Sequence, residues 1–101
     1  MNAVERRHVN KVAALPCVVC RRFGATGLPV ELHHVAEGSG IRSWFAVAPL
    51  CGSKMDGGHH RGAAGLHGMG TKKFCALYRP PWEKEEGLLV WVNEDLAKVK
   101  A

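Results

Sequence analysis

The sequence predicts a small α+β fold, and three observations predict it. Two short apolar runs, Val30 to Val35 and Trp44 to Cys51, carry the patterning of strands rather than helices. Good helix formers occupy both ends of the chain. Between them lies a Cys17-Val-Val-Cys20 pair in a glycine-punctuated segment, the spacing at which two thiolates reach one ion.

The length of 101 residues fits one domain spanning 1–101, with a modest core that gains from an added staple. Residues 3 to 14 predict a short helix that stops at Pro16, with Val4, Val12 and Leu15 as its apolar positions. In LPVELHHV, Val30, Leu32 and His34 alternate with Glu31, His33 and Val35, so the histidine pair sits at the end of a strand. WFAVAPLC is short enough for a second, buried strand, and EGSGIRS between them is a long connecting loop. The glycine-rich stretch from Gly52 to Gly70 argues for a turn, one or two helical turns and a loop, not a long helix. Thr71 is the expected cap of a helix KKFCALY that Pro80 and Pro81 terminate. The tail from Trp82 to Ala101 reads as a further helix, weakened by Gly87, with Leu88, Trp91, Val92, Leu96 and Val99 close to one stripe.

Fourteen Lys and Arg against nine Asp and Glu give a formal charge of +5, which favours a polyanionic partner. No run approaches the roughly 18 to 20 apolar residues of a membrane span, and the charged N-terminus lacks an apolar signal region, so the expectation is a soluble, cytoplasmic protein with no membrane partner. That expectation also turns the four cysteines away from disulfides and towards a metal.

Cys17 and Cys20 need two more ligands, and Cys51 and His59 are the candidates for a Cys3His structural zinc. Cys75 competes with His59 for the fourth place, with an inert core thiol as its commoner outcome. A redox-active pair is the rival reading of the CxxC, disfavoured because no βαβ pattern surrounds it. Five of the six histidines fall between residues 33 and 67, as His33-His34, His59-His60 and His67, while His8 stands alone as a surface or core residue. Adjacent side chains of a strand point to opposite faces, so one of His33 and His34 can face a metal while the other faces a water. Cleaving a phosphodiester needs those two things, an activated water and a cation that absorbs charge on the phosphate. A second structural zinc is the rival use of the same residues.

CxxC, then HH on a strand, then PLC followed by HH and LHGMG resembles the HNH, or His-Me finger, endonucleases over roughly residues 16 to 78. Within that superfamily the chain is similar to the small phage and prophage versions, including the recombination-enhancement nucleases. The resemblance implies a ββα-metal core with a structural zinc knuckle, flanked by N- and C-terminal helices that lie outside the match, the C-terminal extension covering about 82–101. It implies His34 as general base, His33 and His60 as ligands of a catalytic divalent ion with His67 as a third, and His59 as the zinc ligand beside Cys17, Cys20 and Cys51. Manganese or magnesium is the implied catalytic metal, manganese being favoured by the nitrogen ligands.

Two departures from the pattern stand out. The middle Asn of HNH has no match in SGIRSWFAVAPLC, where Ser43 or a backbone carbonyl takes its place in orienting His34. His60 and His67 are seven residues apart, about 10.5 Å along a straight helix, so sharing one ion requires a break at Gly62 or Gly65; otherwise His67 contacts phosphate. Arg42, Arg61, Lys72 and Lys73 are the candidate contacts to DNA phosphates, and nothing in the sequence reads as a base-specific element. The expected activity is hydrolytic nicking of one DNA strand with low sequence specificity, by a monomer or by a dimer formed through the tail with Trp82 and Trp91. A zinc-ribbon accessory module that binds nucleic acid without cutting, and an RNA-directed nuclease on the same scaffold, are the alternatives.

Overall fold

A computed structural model describes residues 1–25, 27–35, 43–53 and 55–99. It shows a small α+β protein: helices α1 (Ala3–Ala13) and α2 (Val18–Phe23), strands β1 (Val30–His34) and β2 (Val47–Cys51), short helices α3 (Gly58–Arg61) and α4 (Leu66–Met69), α5 (Thr71–Tyr78), a 3-10 turn at Pro81–Glu83 and α6 (Gly87–Val99). Among the described residues no helix is long and apolar enough to cross a membrane.

Each element has a local cause. Asn2 and Glu5 close a reciprocal capping box at the start of α1, with both backbone-to-side-chain bonds at 2.8 Å. Helix α2 was not expected from its glycine-punctuated surroundings; Cys17 caps it by accepting the Cys20 N–H on its sulfur at 3.5 Å. Thr71 is not the cap of α5: it is the first helical residue, Gly70 holds the cap position without a side-chain bond, and Arg79 ends the helix in the left-handed region before the two prolines.

β1 and β2 pair antiparallel with Glu31 opposite Leu50, Leu32 opposite Pro49 and His33 opposite Ala48. The Val35 N–H donates to Ala46 and the Gly52 N–H to Pro29, which makes the odd-numbered β1 positions the hydrogen-bonded pairs. Pro49 therefore falls at a non-hydrogen-bonded position, where its missing N–H costs no ladder bond. Every residue of β2 is buried, because α1, α2, α3 and α6 all pack against it.

One hydrophobic cluster runs from Val12 and Leu15 through Val18, Val47, Leu50 and Phe74 to Leu88, Trp91 and Val92. Both terminal helices thus belong to the same core as the strands. The predicted stripe of α6 holds for Leu88, Trp91 and Val92, with Leu96 half-buried, but Val99 is exposed because the stripe runs past the edge of the body.

The polar anchor of α6 is Asp95, which is fully buried. Arg22 of α2 donates to both of its oxygens at 3.0 and 3.1 Å, donates to the Val18 carbonyl at 3.0 Å, and lies 4.8 Å from the centre of the Trp91 ring. Removing one partner of such a pair leaves a buried charge unmatched. Asp95→Ala is expected to cost about 3–5 kcal/mol, read from urea unfolding; a change under about 1 kcal/mol contradicts the packing described.

Candidate functional site

Two clusters of ligand-type side chains share α3, which gives His59 to one and His60 to the other. The first gathers Cys17 and Cys20 from the α2 knuckle, Cys51 from the end of β2 and His59 from α3, with one donor atom from each within 4.8 Å of the others. His59 Nδ1 is 3.2 Å from Cys51 Sγ, 3.4 Å from Cys20 Sγ and 3.6 Å from Cys17 Sγ, and Cys20 and Cys51 are 3.4 Å apart sulfur to sulfur. A tetrahedral zinc with ordinary bond lengths separates sulfur from nitrogen by about 3.6 Å and sulfur from sulfur by about 3.8 Å. The donors fit that ion in number, kind and spacing, and a Cys3His group of this geometry can hold zinc.

Backbone N–H groups support the sulfurs: Cys20 donates to Cys17 Sγ at 3.5 Å and His59 to Cys51 Sγ at 3.4 Å. Without a cation, burial pushes the Cys17 thiol up to about 12, and burial also lowers His59 below the ordinary imidazole range. The neutral Cys17 thiol favoured by burial gives way to a thiolate in exchange for a cation. Tyr78 packs edge-on against His59 with ring centres 5.6 Å apart and donates its hydroxyl to the Ala64 carbonyl at 2.8 Å. Cys75 is buried but stands outside the cluster, a core thiol raised by burial.

The second cluster is His33, His60 and His67, again with one donor atom from each within 4.8 Å of the others. The first two are buried and His67 is exposed, so the cluster opens to solvent. The break required between His60 and His67 is present. α3 ends at Gly62, α4 begins after Gly65, and the two imidazole centres lie 4.7 Å apart. Close packing enforces this: a Cβ on Gly65 would come within 2.5 Å of the Gly58 carbonyl oxygen, and one on Gly68 within 1.8 Å of that of Gly62.

Carboxylates hold two of the three rings. Glu31, one residue pair along β1 on the same face as His33, lies 2.9 Å from His60 Nδ1 and accepts from Arg61 Nε at 3.0 Å. Those bonds hold the Glu31 carboxyl below its usual range, and burial lowers His60 despite the pull of Glu31. An ionised carboxylate can only accept, so neutral His60 carries its proton on Nδ1 and keeps the Nε2 lone pair for a cation. His33 Nε2 lies 2.5 Å from Glu85 Oε1. Glu31 was legible in the sequence, since period two puts it on the face of His33; Glu85, 52 residues away, left no local signal.

His34 points to the other face of β1, against Trp44 with ring centres 4.7 Å apart. Its Nδ1 is buried with no hydrogen-bond partner among the described residues. Ser43, which with a backbone carbonyl was the candidate for orienting it, accepts the Phe45 N–H at 3.1 Å, and the described contact of the His34 ring is with Trp44. Of the predicted phosphate contacts, Lys72 and Lys73 are exposed at the start of α5, Arg61 is tied to Glu31, and Arg42 lies outside the described residues. Trp91 is buried in the core, whereas Trp82 is 71% exposed.

No solved structure matches the chain. Residues 1–97 match the family described as recombination enhancement, RecA-dependent nuclease, and that span takes in α1 and nearly all of α6 as well as the motif region. With almost its whole length inside that match, the chain belongs to the family of RecA-dependent recombination-enhancement nucleases, and its substrate is a nucleic acid.

Proposed function

We propose that the chain is a divalent-metal-dependent DNA endonuclease of the HNH type, which nicks one strand with little sequence preference. The observation that carries this reading is the division of the histidines: three converge with their donor atoms together while His34, adjacent to one of them, is turned to the opposite face. Cys17, Cys20, Cys51 and His59 hold zinc for shape; His33, His60 and His67 hold manganese or magnesium for chemistry. That catalytic cation supplies charge stabilisation to the phosphate and the departing oxygen.

His34 accepts a proton from water on its imidazole as the water oxygen bonds to phosphorus. The phosphorus–3′-oxygen bond breaks, leaving a 5′-phosphate and a 3′-hydroxyl. Lys72 and Lys73, with Arg42 and Arg61 as further cations, draw the DNA backbone to the site. A single site cuts a single strand, so a monomer nicks, and a double-strand break takes a dimer or two events. The family description ties its members to RecA, and we extend that dependence to this chain as preferential cutting of DNA held in RecA filaments.

Supercoiled plasmid and RecA-coated DNA, each incubated with zinc-loaded protein and manganese, test the proposal. Nicked circles or single-strand cuts that EDTA abolishes are the expected products. Linear DNA with no nicked intermediate overturns single-strand action. Binding without cutting under every condition identifies a zinc-ribbon binding module instead, and cleavage confined to RNA identifies the RNA-directed alternative.

A further inference from the structure

The turn between α5 and α6 is built at a cost that packing alone does not explain. Within five residues it places three non-glycine residues in the left-handed region, Arg79 at φ 52°, Trp82 at φ 62° and Glu83 at φ 52°. It also presses Gly87 so tightly onto the chain that a Cβ there would lie 2.2 Å from the Pro81 carbonyl oxygen. Side chains larger than glycine avoid the left-handed region, and such conformations concentrate where a site needs a fixed geometry. The 71% exposed Trp82 shows that the turn does not exist to bury its aromatic residue. What the turn does deliver to the interior is Glu85, whose side chain is only 15% exposed and whose Oε1 meets His33 Nε2.

We infer that Glu85 is a positioning residue of the histidine cluster, fixing the ring and tautomer of His33 from outside the strand and short-helix region. The inference rests on the reading of His33, His60 and His67 as holders of a divalent ion. A carboxylate accepting from Nε2–H leaves a neutral His33 with its lone pair on Nδ1 and locks the plane of the ring. Glu31 does the corresponding work on His60, through Nδ1. The cluster is thereby assembled from both sides: Glu31 from β1 holds the helix histidine, and Glu85 from the C-terminal turn holds the strand histidine. His67, the exposed member, is the ring through which the site opens. This also gives the C-terminal segment a role in the site that a strand–strand–helix core by itself does not need.

The test uses full-length protein loaded with zinc and titrated with manganese by calorimetry, for wild type, Glu85→Ala, Glu85→Gln and Glu86→Gln as the neighbouring control. Wild type and E86Q are expected to bind one manganese with equal affinity, E85A 10- to 100-fold more weakly, and E85Q in between, because an amide oxygen still accepts from Nε2–H. Nitrogen-15 NMR of the manganese-free, zinc-loaded protein supplies a readout that a merely structural role would not move. His33 should be the Nε2–H tautomer in wild type and E85Q, and a tautomer mixture in E85A. Manganese affinity of E85A and E85Q within twofold of wild type, or a His33 protonated on Nδ1 in wild type, overturns the inference. A wild-type protein that binds no manganese at all overturns the underlying ion site instead, and the NMR result then stands by itself as the measure of the Glu85–His33 pair.

Discussion

Stripped of metal by a strong chelator at neutral pH, the chain is expected to lose its cooperative fold, and Cys51→Ser is expected to leave it unfolded even with zinc supplied. Two stretches distant in sequence meet at the Cys3His cluster: the α2 knuckle, and the end of β2 with α3 just after it. His59 Nδ1 is held 3.2–3.6 Å from all three sulfurs, a crowding that one cation shared by the four donors relieves. Zinc bound to such ligands contributes an apparent free energy of about 10–16 kcal/mol at neutral pH. A domain of this size has a total stability of about 5–15 kcal/mol, so loss of the ion exceeds what the core can supply.

The same prediction has a pH arm with a definite sign. The thiols must lose protons to bind, and Cys17, pushed up to about 12 in the cation-free pocket, does so only in exchange for the ion. Zinc uptake should therefore release protons, and acid should release zinc. Burial lowers His59 in the folded state, so the unfolded chain takes up that proton first. Stability from this group is complete above the ordinary imidazole value of 6.5 and declines as pH falls from there towards the folded value. Far-UV circular dichroism against pH, with and without chelator, reads both arms. A chelated protein that keeps a cooperative thermal transition at the zinc-loaded temperature contradicts the structural role.

Both strands and the Cys17–Cys20 knuckle were legible because they depend on local patterns: alternation at Val30 to Val35, a short apolar run ending at Cys51, and a thiol pair at ion-sharing spacing. Cys51 and His59 join that knuckle across 31 and 42 residues, and were legible only because two thiolates need two more ligands and the motif resemblance named them. The break between His60 and His67 was legible from the intervening glycines, since chemistry demanded a bend and Gly62 and Gly65 permitted one. The features that escaped depend on contacts distant in sequence. Glu85 reaches His33 across 52 residues, and Asp95, a polar residue on the helix that also carries the apolar stripe, is buried only because Arg22 of α2 meets it. Helix α2 escaped for a different reason: its cap is a cysteine sulfur, outside the usual oxygen-bearing set. Thr71 failed as a cap because Gly70, with φ 88°, turns the chain one residue earlier.

His34→Ala is expected to lower the cleavage rate by about 10²- to 10⁴-fold, the usual contribution of a positioned general base, while leaving both ions bound. The separation follows from the strand. Side chains of successive residues leave β1 on opposite faces, so deleting the His34 ring removes nothing from the cluster built on His33. His34 Nδ1 has no hydrogen-bond partner among the described residues, so removing the ring breaks no hydrogen bond there. H34A should accordingly unfold no more readily than wild type, apart from the packing lost against Trp44. His33→Ala provides the contrast: it should lose manganese binding and cleavage together. Three measurements on each variant, namely urea midpoint, manganese stoichiometry and single-turnover nicking, separate the two roles. If H34A nicks at the wild-type rate, the base lies elsewhere; if it binds no manganese, His34 belongs to the ion and the division of labour along β1 is wrong.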